Sequence, residues 1–256
     1  MRDPRELAGS WSSFQSHGFL PPSPALRSLV ARYWWARWDL TGQPAYEQLI
    51  IPYPNVHLTF SAAADPMIRG VNRGRIRRVL SGRDAVLGVA FRPGVFRRYL
   101  AAPLETVTDR SLPASAVLRD PLPQHVDVLD PAALASAVDA YLVANLPPAD
   151  AVGDEVAAWV ETIAESPDLR RVDQLTARFS VSERQLQRLF AEHVGVSPKW
   201  VLRRFRLHEV TSRMEARSPI DWAALAADLG YADQSHLTRD FTNMFGEPPT
   251  TYAARY

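Results

Sequence analysis

The residues best suited to chemistry in this chain are polar side chains crowded into residues 182–190, SERQLQRLF. Ser182 has the type and place of a helix N-cap. Leu186, Leu189 and Phe190 fall at i, i+3 and i+4, the spacing of one buried helical face. Glu183, Arg184, Gln187 and Arg188 are then left pointing outward. In the major groove arginine pairs with guanine O6 and N7, and glutamine with adenine N6 and N7. Arginine and glutamine about a turn apart on a rigid helix therefore suit base reading. The same nine residues also suit the solvated side of an ordinary amphipathic helix, and what surrounds them has to decide.

Other chemistries find little support. The chain has no cysteine, which excludes disulfides, thiolate metal sites and a thiol nucleophile. His57 is the only histidine between residues 27 and 120, whereas a metal-dependent β-barrel enzyme needs several histidines and carboxylates together. No Gly-x-Ser-x-Gly, phosphate-loop or dinucleotide fingerprint occurs. The expectation is a protein that is not an enzyme and carries no metal or other cofactor. Residues 69–98 hold nine arginines against one acid, Asp84. Such a run reads as solvent-facing strand alternation, as a site for an anionic effector or as an extra DNA contact. Arg92, beside Pro93 and Gly94, is the first choice to line an effector pocket, with Trp34, Trp35, Tyr53 and His57 as partners. The tryptophans read equally well as aromatic core.

The charge distribution favours the segment around residues 182–190. Overall the 256 residues carry a formal charge of only +1. Residues 151–169 hold five acids and no Lys or Arg, for −5; residues 170–213 hold ten basic and four acidic side chains, for +6; residues 214–256 hold three and six, for −3. Duplex affinity comes largely from neutralised phosphates, so residues 170–213 are the best equipped to grip DNA.

The elements that must position these residues fall into two groups. Residues 1–25 read as a poorly ordered Gly/Ser/Pro arm, with Trp11 and Phe14 as anchors. Short β-branched and aromatic runs at 30–40, 49–51, 56–60, 67–71, 75–80 and 85–91, punctuated by Gly and Pro, predict strands of a sandwich or small barrel. Residues 95–100 look helical. A helix is predicted over 131–146, with Pro131 in its first turn and Pro147-Pro148 closing it. It packs either on its own domain or against a second domain or copy. Residues 149–153 are the best linker. Beyond them the pattern is helical over 155–165, 172–179, 182–190, 198–216, 222–229 and 233–245, the long member at 198–216 being apolar nearly all round.

Two helix-turn-helix units emerge, repeating at a spacing of about fifty residues. Leu175 matches Leu225, Phe179 matches Leu229, Ser180 matches Gly230, Leu186 matches Leu237, Phe190 matches Phe241, Gly195 matches Gly246 and Pro198 matches Pro249. In the second unit Gln234, Ser235, His236, Thr238, Arg239 and Thr242 are candidates for the outer face.

With these motifs in view, residues 156–252 resemble the AraC/XylS family of transcription regulators. The segments carrying the likeness are RRVDQLTARFSVSERQLQRLFAEHVGVSPKWVLRRFRLHEVTSRM and DWAALAADLGYADQSHLTRDFTNMFGEPPTTYAARY. The resemblance implies about seven helices with two helix-turn-helix motifs. Carried over by position, it implies that Arg184, Gln187 and Arg188 meet bases, and that Gln234, Ser235, His236 and Arg239 meet bases or phosphates. Ser182, Arg206 and Thr238 become phosphate contacts or structural supports, Arg206 equally a cap for a helix C-terminus. The departure is charge: residues 151–256 total −2, which weakens the expected grip of the second helix. The N-terminal half resembles the cupin-like sensor domains of uncharacterised regulators of this type, through Gly88-Val89-Ala90-Phe91-Arg92-Pro93-Gly94, IPYPNVHLTF and LETVTDRSL. Its implied role is effector binding or dimerisation.

The expectation is thus an α+β chain. Residues 1–125 form a β-rich, cupin-like regulatory domain, 126–150 a linker helix and linker, and 151–256 an all-α DNA-binding domain. The expected partners are double-stranded DNA, a small-molecule effector, a second copy and RNA polymerase, in the cytoplasm and with no membrane. Two competing readings are a small-molecule-binding or enzymatic cupin-like protein whose helical domain binds protein, and an architectural DNA binder without effector.

Overall fold

The computed structural model describes residues 14–62, 64–118, 121–123, 128–215 and 220–254. Trp11 lies outside them. The chain is α+β, as its patterning predicts. Its strands are β1 (Gln15–Leu20), β2 (Val30–Leu40), β3 (Tyr46–Ile50), β4 (His57–Ser61), β5 (Ala64–Arg69), β6 (Ile76–Leu80), β7 (Gly82–Phe91) and β8 (Ser111–Pro113). Six pair antiparallel in the order β1-β2-β7-β4-β5-β8, and β3 and β6 form a separate ribbon. Among the described residues neither sheet closes, so the barrel option of the sequence reading gives way to an open sheet and a ribbon.

Strand β1 falls within the stretch read as an arm. Its residues are half-buried or exposed rather than alternating, so hydrophobic periodicity gives no signal. Pairing with β2 from Gln15↔Trp38 to Leu20↔Tyr33 holds it instead. Gly88 on β7 lies opposite Trp34 on β2, and a Cβ there would stand 2.1 Å from the indole. The missing side chain is what lets Trp34 lie flat across the strand.

The helices are α1 (Arg97–Leu100), α2 (Pro131–Ala144), α3 (Ala151–Glu165), α4 (Val172–Phe179), α5 (Glu183–His193), α6 (Pro198–Glu215), α7 (Trp222–Asp228), α8 (Gln234–Phe245) and α9 (Pro249–Ala253). Asp130 caps α2 by accepting from Ala133 N, with Pro131 in the first turn. Asp150 caps α3 in the same way through Gly153 N, so most of the expected linker over 149–153 is already the start of a helix. Tyr33 donates to Asp139 of α2 at 2.9 Å, which fastens α2 to the sheet. No helix of the described residues is long and apolar enough to cross a membrane.

The cores do not follow the sequence halves. One runs unbroken from Leu58, Leu87 and Phe91 through Val156 and Val160 of α3 to Leu186 and Phe190 of α5. A second gathers Leu207, Val210, Leu225, Leu237 and Phe241 of α6 to α8, and is completed by Ile51 from the β-rich half; a small third one joins Leu40 and Leu80. The β-rich half therefore packs on both helical units at once.

Candidate nucleic-acid interface

The helix-turn-helix geometry rests on two matched turns. Ser180 ends α4 with φ +55, and its repeat partner Gly230 follows α7 with φ +72. Gly195 and Gly246, which end the second helices, match again at φ +83 and +90. All four take the left-handed backbone that lets a helix stop and the chain turn sharply. The repeat read from side-chain types is thus also a repeat of backbone conformation.

In α5, Ser182 caps the helix by accepting from Gln185 N at 3.2 Å. Leu186 and Phe190 are fully buried and Leu189 nearly so, which fixes the rotation of the helix. Glu183, Arg184, Gln187 and Arg188 are exposed, as is Gln185, which the sequence reading omitted. Two of the proposed readers are held by acids of their own helix. Gln187 Nε2 donates to Glu183 Oε1 at 2.9 Å, and Arg188 Nη1 donates to the Glu192 carboxylate at 3.1 and 3.2 Å. Exposed i,i+4 contacts of this kind are worth only tenths of a kcal/mol. They set the side chains in place and are readily exchanged for a base edge.

In α8, Asp233 caps the first turn by accepting from His236 N at 2.6 Å. Leu237 and Phe241 are fully buried. Gln234, Ser235, His236 and Arg239 are exposed, and Thr238 is half-buried on the flank. The His236 ring stands edge-on to Tyr231 at 5.2 Å. Arg206 of α6 donates to the Arg170 carbonyl at 2.7 Å and lies over the Tyr231 ring at 5.0 Å. It therefore supports the segment entering α4 rather than a helix C-terminus. Burial, with the neighbouring Asp240 carboxylate adding to it, pushes the Tyr231 phenol well above its ordinary range. Its hydroxyl stays a donor, to Asp240 at 3.2 Å.

The five residues expected around an effector do not converge. Trp34 Nε1 donates to His57 Nδ1 at 3.0 Å, so these two meet. Trp35 is the next residue on β2 and by strand alternation faces the other way, where Gly18 of β1 lies beneath its indole. Tyr53 leaves the sheet and stacks on His208 of α6, with ring centroids 3.8 Å apart. Arg92 pairs with Glu161 of α3 and donates to the Arg27 carbonyl at 3.2 Å.

Two of the five instead belong to a seam between the β-rich half and the helices, which sequence reasoning did not anticipate. There Arg98 pairs with Asp154 and donates to the Asp150 carbonyl at 3.0 Å. Thr108 Oγ1 donates to the Gly195 carbonyl at 2.6 Å, and Trp200 Nε1 to the Arg73 carbonyl at 3.2 Å. Gly94, at φ +90, packs so close to α3 that a Cβ would stand 2.8 Å from Ala157 N. On α6, Arg204 is only 1% exposed, and burial pulls its guanidinium down to about 9. Burial, together with that guanidinium, holds the His208 imidazole well below its ordinary value.

Comparison with known proteins bears on the helical half most directly. Residues 175–255 match a family model described as a helix-turn-helix domain. Over 95 residues the chain is 33% identical to the multiple antibiotic resistance protein MarA of Escherichia coli (strain K12), covering 37% of this chain and 72% of that protein. The chain belongs to the AraC/XylS family of transcription regulators. A second relative, the HTH-type transcriptional activator RhaS of Pectobacterium carotovorum subsp. carotovorum (strain PC1), is 32% identical over 75 residues, 29% of this chain and 26% of that protein. Residues 19–113 of this AraC/XylS-family chain match a domain of unknown function, DUF6597. The solved structure of ToxT from Vibrio cholerae is similar at 10% identity and a TM-score of 0.45, covering 94% of this chain and 98% of that one. As a member of the family, the chain is a DNA-binding transcription regulator.

Proposed function

We propose that the chain reads a specific duplex sequence by setting α5 and α8 into adjacent major grooves on one face of the DNA. One observation carries this reading. Two helices follow turns of the same backbone conformation, bury their apolar faces and expose side chains that match base edges. Arg184, Gln187 and Arg188 supply the first set of base contacts. Gln234, Ser235, His236 and Arg239 supply the second, against bases or phosphates, with Thr238 at their flank. Ser182 and Arg206 support them as cap and brace. Two such helices read sites about one turn, ~34 Å, apart.

The β-rich half is the regulatory part in this proposal. Its contacts with α3, α5 and α6 through Arg92, Arg98, Thr108 and Tyr53 support the idea that an effector or a second copy acts by shifting this seam. A state change there alters how the two reading helices are held relative to each other.

The test is Arg188→Ala against a panel of duplexes varied one base pair at a time. The expected outcome is a loss of about 1–3 kcal/mol on the preferred site and relaxed choice at one position. Unchanged affinity and unchanged base preference would remove Arg188 from the reading set.

A further inference from the structure

The positive charge of residues 170–213 is not where its place in the sequence suggests. An open cleft of about 840 Å3 lies between the two helix-turn-helix units, and Arg170, Arg171, Lys199, Arg203, Arg206 and His236 line it. Half of the ten basic residues counted around α5 therefore line the doorstep of α8, whose own unit is acidic. Five cations stand there against two carboxylates, Asp173 and Asp240, for a net +3.

The inner cations are fixed. Arg203 pairs with Asp240 at 2.5 Å, and Asp240 also accepts from Tyr231 at 3.2 Å. Arg206 is held on the Arg170 carbonyl, and Arg170 in turn donates to the Asp228 carbonyl at the end of α7. These contacts tie the approach to α4, the end of α7, the rod α6 and the middle of α8 into one rigid floor. The outer cations are available. Arg171 has 74% of its side chain exposed, and its pair with Asp173 at 2.9 Å is itself exposed. Lys199, in the first turn of α6, is exposed as well. A surface pair of this sort contributes little and is easily exchanged for another anion.

We propose that this cleft is a phosphate seat. The sugar-phosphate strand that runs between the two grooves lies along it, with Arg171 and Lys199 contacting phosphates over a positive floor. The ligand class is the phosphodiester backbone of duplex DNA, and the contact carries no base information. It explains how an acidic second unit holds DNA: the cations it lacks come from the preceding unit and from the rod. The inference rests on the DNA-reading proposal above and adds residues that neither the motif nor the repeat singled out.

The experiment is duplex binding by the full chain, followed by fluorescence anisotropy from 50 to 200 mM NaCl. Wild type is compared with the double variant Arg171→Ala, Lys199→Ala. Each phosphate contact adds about 0.9 to the slope of log affinity against log salt. Loss of both is expected to flatten the slope by about 1.8 and to shrink the salt-induced weakening over that range by about 12-fold. The ranking of base variants is expected to stay the same. A flattening of at least ~0.9 with the ranking kept supports the proposal. A wild-type slope in the double variant overturns it, and so does a changed base ranking. Replacing chloride by sodium phosphate at matched ionic strength separates a free-anion site: stronger inhibition in wild type alone would reassign the cleft. Wild type with no salt-dependent binding would instead sink the DNA-reading proposal itself.

Discussion

Arg204→Met is expected to make the protein more stable, although it removes a charged residue from the centre of the seam. Arg204 lies one turn before His208 on α6 and is 1% exposed. Its Nε and Nη2 atoms find no hydrogen-bond partner among the described residues. Its compensation comes from the Trp200 ring, 5.7 Å from the guanidinium carbon, worth about 1–2 kcal/mol when desolvated, and from the nearby Tyr53 phenol. Burial pulls the guanidinium below its ordinary value, yet it is still charged at pH 7 and bears a desolvation cost. Methionine keeps an unbranched apolar stem and removes the charge. The expected gain is about 1–4 kcal/mol, the range seen when buried charges give way to apolar groups. At ~2–4 °C per kcal/mol for a chain of this size, the melting point should rise by at least ~2 °C. Urea unfolding at pH 7, with calorimetry alongside, measures it. A variant equal to or weaker than wild type at pH 7 would instead mean that the guanidinium has a stabilising partner.

Further outcomes follow from the same geometry. Burial lowers both His208, well below its ordinary value, and His193; the unfolded chain takes up these protons first, so stability is lost as pH falls through about 6.5. Thermal melts from pH 7.5 to 5.5 should show this, His208→Gln should flatten the fall, and a flat wild-type profile would contradict it. Gly94→Ala forces a side chain into a left-handed position 2.8 Å from Ala157 N and is expected to cost about 1–3 kcal/mol in urea unfolding; a neutral result would mean that α3 is not held at this point. Gln234→Ala and Arg239→Ala are each expected to weaken specific binding less than Arg188→Ala, and equal or larger losses would reverse the ranking of the two helices.

The helical half is legible in the sequence because every level agrees. Ser182, Asp221 and Asp233 are capping types and do cap. Leu186 and Phe190 predict their buried face from spacing alone. The match of Ser180 with Gly230 anticipates a shared left-handed turn. The short closing helix α9 is not picked out by periodicity, since five residues are too few to show it. The β-rich half is harder to read. Strands β2, β4 and β7 announce themselves by β-branched and aromatic residues, but β1 is held by pairing and by Gly18, which no alternation marks. The effector residues illustrate the deeper limit. Trp34 and Trp35 are neighbours in sequence and opposite in space. Arg92 and Tyr53 find partners 69 and 155 positions away, Glu161 and His208. A seam between distant segments leaves no local pattern. The charge count located the basic segment correctly, yet it could not show that Lys199 and Arg203 serve the space beside α8.

The most direct test is hydroxyl-radical and methylation footprinting of the full chain on duplexes selected from a random pool. One preferred sequence is expected, with two major-groove patches protected on the same face and centred about one turn, 10–10.5 base pairs, apart. Arg188→Ala should clear one patch and leave the other partly protected. A single patch, two patches on opposite faces, or selection that converges on no sequence would contradict it.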